Sequence, residues 1–166
     1  MKKIEAPSAS VPTPRPRDLP WVLYVEDEED NWIVTELQLR RRFRLTWARD
    51  DREACEQLRQ AARPPHAILM DIQLRGAALD GIQLTRVLRG LAVPPETPEY
   101  ARGLSQLAAP IIFVTAYGAR YSEQELLAAG GSAVINKPVD FVALSLALTS
   151  DHLQRIQAIL KSVPTP

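Results

Sequence analysis

The sequence predicts an α/β protein in which helices cover both faces of a five-stranded parallel sheet. Five short apolar runs alternate with amphipathic stretches between residues 20 and 160. The runs lack the polar alternation of half-exposed strands, which is typical of strands buried on both faces. Strands that alternate with helices are expected to pair in parallel, because each connection then crosses back over the sheet.

The strands are the runs richest in β-branched and aliphatic residues. They are predicted at Trp21–Val25, Arg44–Ala48, Ala67–Met70, Ile111–Val114 and Ala133–Ile135. Helices are predicted at about residues 31–43, 51–62 and 81–91, then one capped by Ser122 with Glu125 and stopped by Gly130, and a last one at about 140–160. Functional residues are expected beyond the carboxyl ends of the strands, where open parallel sheets bind ligands.

Length and composition restrict the function. The chain has 166 residues, one domain by size, and its 20 Lys and Arg balance its 20 Asp and Glu. A neutral chain argues against general binding of nucleic acid, and no apolar run reaches the length of a membrane span. The one cysteine, Cys55, excludes an internal disulfide and suits a reducing compartment, so a cytoplasmic protein is expected.

Three segments fall outside the alternating pattern. Five of the 14 prolines lie in the first 20 residues, which predicts a flexible tail over residues 1–19. Residues 162–166 are expected to fray, which leaves 20–161 as the folded domain. An insertion at 92–110 separates the third helix from the fourth strand. We expect this insertion at the amino end of the sheet, away from the functional strand ends, as a candidate partner epitope.

Polar and charged residues follow four of the predicted strands. Glu26 and Asp27 follow the first strand, Asp71 the third, Thr115 the fourth and Lys137 the fifth. Clustered carboxylates repel one another unless a cation neutralises them, and oxygen ligands in a hydrated site suit Mg²⁺. A metal, an ammonium and a hydroxyl together can hold a phosphoryl group, for which an Asp carboxylate is an acceptor. Lys137 is the sharpest signal, because no other lysine lies between residues 4 and 160.

Five motifs, in this order and spacing, resemble the receiver domain of two-component response regulators. They are Tyr24-Val-Glu-Asp-Glu28, Leu69-Met-Asp-Ile72, Asp80-Gly81, Val114-Thr-Ala116 and Asn136-Lys-Pro138. The resemblance covers about residues 20–149. It implies a flavodoxin-like (βα)5 fold, a doubly wound parallel sheet with strand order 2-1-3-4-5.

The resemblance also implies a phosphorylation site that depends on Mg²⁺. Asp71 is implied as the acceptor of a phosphoryl group from a histidine kinase or a phosphotransfer protein. Glu26, Asp27 and Asp71 are implied as the carboxylates of the Mg²⁺ site, and Gln73 as the residue whose backbone carbonyl completes it.

Further residues are implied to bind or report the phosphoryl group. Thr115 and Lys137 match the family's switch hydroxyl and phosphoryl-binding lysine. Val134 stands three residues before the lysine, where the family usually has an aromatic residue. Gln73, Tyr117 and Val134 are therefore candidates for altered switching or phosphoryl lifetime. The loop after the acceptor lacks the frequent proline and is longer by about two residues.

The expected function is that of a phospho-accepting switch that signals through protein contacts. The segments outside the domain are too short for a DNA-binding or enzymatic output domain. Output is therefore expected through residues 122–160 or the insertion at 92–110. No enzymatic activity is expected beyond Mg²⁺-dependent phosphorylation and dephosphorylation of the protein itself, and the sequence specifies no oligomeric state. The alternative is a receiver-like scaffold that signals without phosphorylation, which the missing aromatic residue at position 134 keeps open.

Two other functional classes fit the sequence less well. A phosphatase of the haloacid-dehalogenase type needs a second Asp two residues after its nucleophile, where this chain has Gln73. A flavodoxin-type FMN binder must hold a phosphate in its first loop, which the acidic residues 26–30 would repel. Both classes are therefore disfavoured.

Overall fold

The computed structural model describes residues 19–91, 95–104, 106–116 and 120–149. Five parallel strands form one sheet in the order β2-β1-β3-β4-β5. The strands are β1 (Trp21–Val25), β2 (Arg44–Ala48), β3 (Ala67–Met70), β4 (Ile111–Thr115) and β5 (Ala133–Asn136). The helices are α1 (Glu29–Leu39), α2 (Asp51–Gln60), α3 (Gly81–Arg89), the 3-10 helix η1 (Glu99–Ala101), α4 (Glu123–Ala128) and α5, described over residues 141–149. The predicted fold class and strand order are confirmed.

Both faces of the sheet are buried, as the uninterrupted apolar runs predict. Successive side chains of a strand point to opposite faces, so each strand contributes side chains to two hydrophobic cores. The core beneath α2, α3 and α4 contains Leu23, Val25, Ile68, Met70, Ile111 and Phe113. The core beneath α1 and α5 contains Val22, Tyr24, Leu69, Ile112 and Val114. No helix in the described part of the chain is long and apolar enough to cross a membrane.

Three helices have different ends from those predicted. Helix α1 spans Glu29–Leu39 rather than about 31–43. The three arginines that follow Leu39 are exposed and add no buried surface that would extend the helix. The next buried residue is Phe43, whose N–H donates to the Leu39 carbonyl in a turn. Helix α2 ends at Gln60, ahead of Pro64, which disfavours helical backbone in the residue before it. Helix α3 ends at Arg89 rather than about 91, because the next residue, Gly90, has a φ of 66° in the left-handed region that favours glycine.

The insertion at 92–110 is anchored near the amino end of the sheet, at the last turns of α2 and α3, but its Tyr100 side chain reaches farther than predicted, to the start of α2. Its helix η1 packs on α2, where Arg59 donates to the carbonyl oxygens of Tyr100 and Arg102 at 2.9 and 3.1 Å. The Arg52 guanidinium lies 4.1 Å from the centroid of the Tyr100 ring. The Tyr100 hydroxyl donates to Asp51 Oδ2 at 2.5 Å. Because Asp51 begins α2 just after β2, the insertion reaches the carboxyl edge of the sheet.

Apolar packing explains this position of the insertion. Tyr100, Leu104 and Leu107 pack against the core beneath α2, α3 and α4. The backbone N–H of Leu107 donates to the Leu88 carbonyl at 2.8 Å, which fixes the chain beside α3. Burial of these side chains draws the segment along the helices, since removing apolar surface from water is favourable. The predicted tail up to residue 18, the end at 162–166 and the second half of the predicted last helix lie outside the described residues.

Candidate functional site

The carboxyl ends of β1, β3 and β5 bring three carboxylates and one ammonium together. One carboxylate oxygen from each of Glu26, Asp27 and Asp71 lies within 4.8 Å of the others. Lys137 Nζ lies 2.8 Å from Glu26 Oε2 and 2.7 Å from Asp71 Oδ2. The structure thus places four of the predicted site residues in one cleft, at the edge of the sheet where the sequence predicts them.

Backbone hydrogen bonds hold the strand ends in register at this cleft. The Asp71 N–H donates to the Val25 carbonyl at 2.9 Å, and the Lys137 N–H donates to the Thr115 carbonyl at 2.8 Å. Gly81, the first residue of α3, packs directly on the backbone of Asp71. A Cβ at this position would lie 1.9 Å from the Asp71 carbonyl oxygen, so the close approach requires glycine.

Glu26 is fully buried, and four donors surround its carboxylate. Oε2 accepts from the Tyr24 hydroxyl at 2.7 Å and from Lys137 Nζ. Oε1 accepts from the Glu28 N–H at 3.2 Å and from Asn31 Nδ2 at 3.1 Å. A buried carboxylate is stable in the ionised form when donors and a cation offset its desolvation. Glu26 therefore holds Lys137 in place and contributes negative charge to the cleft.

Asp71 is nearly buried and shares Lys137 with Glu26. The pKa of Asp71 lies at about 6, above its ordinary value, because burial and the charge of Glu26 raise it more than the hydrogen bond and charge of Lys137 lower it. Burial lowers the pKa of Lys137, but its bonds to Asp71 and Glu26 outweigh this and the pKa lies above its ordinary value. Lys137 is therefore a permanent cation at neutral pH, and Asp71 is ionised there.

Asp27 lies at the rim of the cleft and faces a different cation. Its Oδ2 lies 3.3 Å from Arg75 Nε and accepts from the Arg75 N–H at 3.3 Å. Arg75 also pairs with Glu28. Four carboxylates, counting Glu28, thus face the two cations Arg75 and Lys137. The excess of negative charge in a set of oxygen donors fits a hard divalent cation such as Mg²⁺.

The other predicted residues lie at different distances from this cleft. The Gln73 N–H donates to Asp71 Oδ1 at 3.3 Å, which places the Gln73 backbone beside the Asp71 carboxylate. Thr115 is buried at the end of β4, where it pairs with Asn136 of β5. Val134 packs against the core rather than the cleft. Tyr117 lies outside the described residues.

Three residues of the site are absent from the sequence prediction. Tyr24 and Asn31 donate to Glu26, and Arg75 pairs with Asp27. The sequence pattern could have indicated the first two. Tyr24 stands two residues before Glu26 in the same extended segment and so shares its face, and Asn31 lies in the first turn of α1, next to the end of β1. Arg75 had one signal only, a lone positive charge in the loop after Asp71.

Comparisons with known proteins give one matching family model and many similar solved structures. A family model of the response regulator receiver domain matches residues 22–149. A search of curated protein sequences gives no match. Among solved structures, the receiver domain of the Francisella response regulator 1452 is 20% identical with a TM-score of 0.66, covering 82% of this chain and 98% of that chain.

Two more solved structures are similar to this chain. The receiver domain of the sensor histidine kinase PA1611 from Pseudomonas aeruginosa is 30% identical with a TM-score of 0.61, covering 80% of this chain and 96% of that chain. That receiver domain has a magnesium ion coordinated in its active-site cleft. The receiver domain of NtrX from Brucella abortus is 22% identical with a TM-score of 0.61, covering 78% and 96%. Since the family model matches most of its length, the chain belongs to the response regulator receiver domain family.

Proposed function

We propose that this protein is a phospho-accepting switch whose acceptor is Asp71. The observation behind the proposal is the position of Lys137, which bridges Asp71 and Glu26 at 2.7 and 2.8 Å beside the carboxylate of Asp27. A structural ion pair needs one carboxylate for one ammonium. Here the carboxylates outnumber the cations, and such a surplus suits a site that takes up a further cation and a phosphoryl group.

The proposed reaction transfers one phosphoryl group to the Asp71 carboxylate. An Asp71 oxygen attacks phosphorus, the bond from phosphorus to the donor breaks, and the donor leaves with the electron pair. The donor is a phosphohistidine of a histidine kinase or phosphotransfer protein, whose imidazole nitrogen takes up a proton. The product is an acyl phosphate on Asp71. Such a transfer depends mainly on positioning and on neutralisation of charge.

The residues of this chain supply most of that positioning. Lys137 already contacts Asp71 and is close enough to bind a phosphoryl oxygen once one is attached. Thr115 ends the neighbouring strand and is proposed as the hydroxyl that reports the phosphoryl group. Mg²⁺ fits the oxygen donors of Asp27, Asp71 and the Gln73 carbonyl, and Glu26 adds charge. The chemistry that a bound Mg²⁺ supplies is neutralisation of the phosphoryl oxygens.

We propose that the output of the switch is contact with another protein, through residues 122–160 or the insertion at 92–110. Several large apolar side chains of the first region are exposed: Leu127 at 41%, Val142 at 72% and Leu146 at 62%. This region begins beyond Thr115 and contains Lys137, so a change at the site has a short path to it. The insertion reaches the carboxyl edge through Tyr100 and is the second candidate.

The test is uptake of a phosphoryl group from acetyl phosphate, recorded as the mass of the intact protein. We expect the wild-type protein to gain one phosphoryl group in Mg²⁺ and none in EDTA, and Asp71→Asn to gain none in either. Glu53→Gln is the matched control, because Glu53 lies on α2 at the surface and pairs with Arg49. Mg²⁺ binding without phosphoryl uptake from either acetyl phosphate or a phosphorylated transfer protein would support the scaffold function instead.

A further inference from the structure

The acidic cleft carries a cation that lies outside the five sequence motifs. Arg75 is in the loop after Asp71, and its Nε lies 3.3 Å from Asp27 Oδ2 while its Nη2 pairs with Glu28 Oε1. The Arg75 backbone N–H donates to the same Asp27 oxygen at 3.3 Å. One oxygen of the Asp27 carboxylate is therefore already occupied by donors of the protein itself.

Exposure places Arg75 between Asp27 and solvent. The Asp27 side chain is 13% exposed, whereas the Arg75 side chain is 73% exposed. Lys137 is 17% exposed and lies deeper, between Glu26 and Asp71. Of the two cations of the cleft, Arg75 is thus far more exposed to solvent than Lys137.

The charges of the cleft indicate what Arg75 does there. Four carboxylates face two cations, so two negative charges are in excess, and one divalent cation balances them. A guanidinium at the rim repels an entering cation and competes with it for the Asp27 carboxylate. An exposed ion pair is weak, and a divalent cation with two carboxylates in reach displaces it at a modest loss of affinity.

We propose that Arg75 is a built-in competitor of Mg²⁺, which holds Asp27 in the metal-free protein and leaves it when the metal binds. The inference rests on the proposed function, because it takes Mg²⁺ as the ligand of the cleft. Arg75 thereby sets the Mg²⁺ concentration at which Asp71 becomes ready for phosphorylation. The residue acts through Asp27 and is a regulatory residue of the site, not a catalytic one.

The test is a titration with MgCl₂ of the wild-type protein and of three variants. Tryptophan fluorescence reports on the site, because Trp47 Nε1 donates to the Glu26 carbonyl at 2.7 Å. We expect Arg75→Ala to bind Mg²⁺ about three- to fivefold more tightly than the wild type, the range given by one exposed ion pair. Arg75→Lys retains the charge, and Arg86→Ala removes a charge from the exposed face of α3, so both should stay within about twofold of the wild type.

Salt separates competition from a merely structural role of Arg75. Screening weakens exposed charges, so the ratio of the Arg75→Ala and wild-type affinities should fall toward one between about 0.05 and about 0.5 M KCl. Thermal unfolding in EDTA verifies that each variant is folded. If Arg75→Ala binds Mg²⁺ as tightly as the wild type or more weakly, Arg75 positions Asp27 instead and the inference is wrong. If the wild type itself binds no Mg²⁺, the metal part of the proposed function fails as well, and the two failures are thus distinguished.

Discussion

Two buried carboxylates, Asp51 and Asp71, lie at the same edge of the sheet and have different roles. Asp51, at the start of α2, is 1% exposed and accepts from two neutral donors, the Leu79 N–H at 3.1 Å and the Tyr100 hydroxyl at 2.5 Å. Asp71, at the end of β3, is 6% exposed and pairs with Lys137 beside two further carboxylates. Neutral donors satisfy the carboxylate of Asp51. Around Asp71, by contrast, the negative charges exceed the positive ones, so that site can bind a further cation.

The two sites show how a buried carboxylate with a structural role differs from one in a binding site. Asp51 joins three segments, namely α2, the loop after Asp71 and the insertion. Burial, together with the hydrogen bond that the Tyr100 hydroxyl donates to Asp51, raises the pKa of this hydroxyl. The role of Asp51 is therefore to hold structure. Burial is the main cause of the raised pKa of Asp71. The ionised Asp71 carboxylate therefore lowers the stability of the folded protein. Such a cost is typical of a site that binds something.

The largest expected effect is that of Lys137→Ala. Removal of this ammonium leaves Glu26 and Asp71 buried without a cation, and the free energy of unfolding in EDTA at pH 7.5 should fall by about 4 kcal/mol. Chemical denaturation measures it, with Arg86→Ala as the control for a lost surface cation. Mg²⁺ should restore more stability to this variant than to the wild type, because it supplies the missing charge. A loss below about 1 kcal/mol would mean that the cleft does not depend on Lys137 for its balance.

Asp51→Ala should lower the free energy of unfolding by about 3 kcal/mol, because it leaves the buried Leu79 N–H and the half-buried Tyr100 hydroxyl without an acceptor. Its affinity for Mg²⁺ should stay within about twofold of the wild type, since the site of Asp51 has no surplus charge to offer. Denaturation and the MgCl₂ titration measure the two quantities. A tenfold loss of Mg²⁺ affinity would show that the two carboxylate sites act as one and would contradict the comparison.

Asp71→Asn should make the metal-free protein more stable by about 2 kcal/mol at pH 7.5. In the folded wild type the pKa of Asp71 is raised to about 6, so between pH 4 and 6 the folded state binds more protons than the unfolded state. The wild type therefore loses stability as pH rises through this window and stays at the lower level above it. Denaturation in EDTA at pH 4.5 and pH 7.5 should show this loss in the wild type and a smaller one in the variant. An equal pH dependence in both proteins would contradict the assignment.

Tyr100→Phe should have the smallest effect, a loss of about 1 kcal/mol of stability, because Asp51 retains the Leu79 N–H. Hydrogen exchange of the Leu79 amide should become faster, since the same oxygen of Asp51 then loses the hydroxyl that helps to hold it. Mg²⁺ affinity should not change. An unchanged exchange rate at Leu79 would mean that the insertion does not stabilise the loop after Asp71.

The sequence predicts the strands and the centre of the site because both depend on local pattern. The five apolar runs define the strands, and parallel strands necessarily bring their carboxyl ends to one edge, which unites Asp27, Asp71 and Lys137. The position of the insertion and the role of Arg75 depend on contacts between distant loops. Arg75 meets Asp27 across 48 positions and Tyr100 meets Asp51 across 49, and no periodicity encodes such pairs.

The most direct test of the account identifies the residue that takes up the phosphoryl group. The protein is incubated with acetyl phosphate and Mg²⁺, reduced with borohydride, digested and sequenced by mass spectrometry. Borohydride converts an aspartyl phosphate to homoserine, so we expect homoserine at position 71 and at no other carboxylate of the cleft. Homoserine at Asp27 or Asp51 with position 71 unmodified would contradict it.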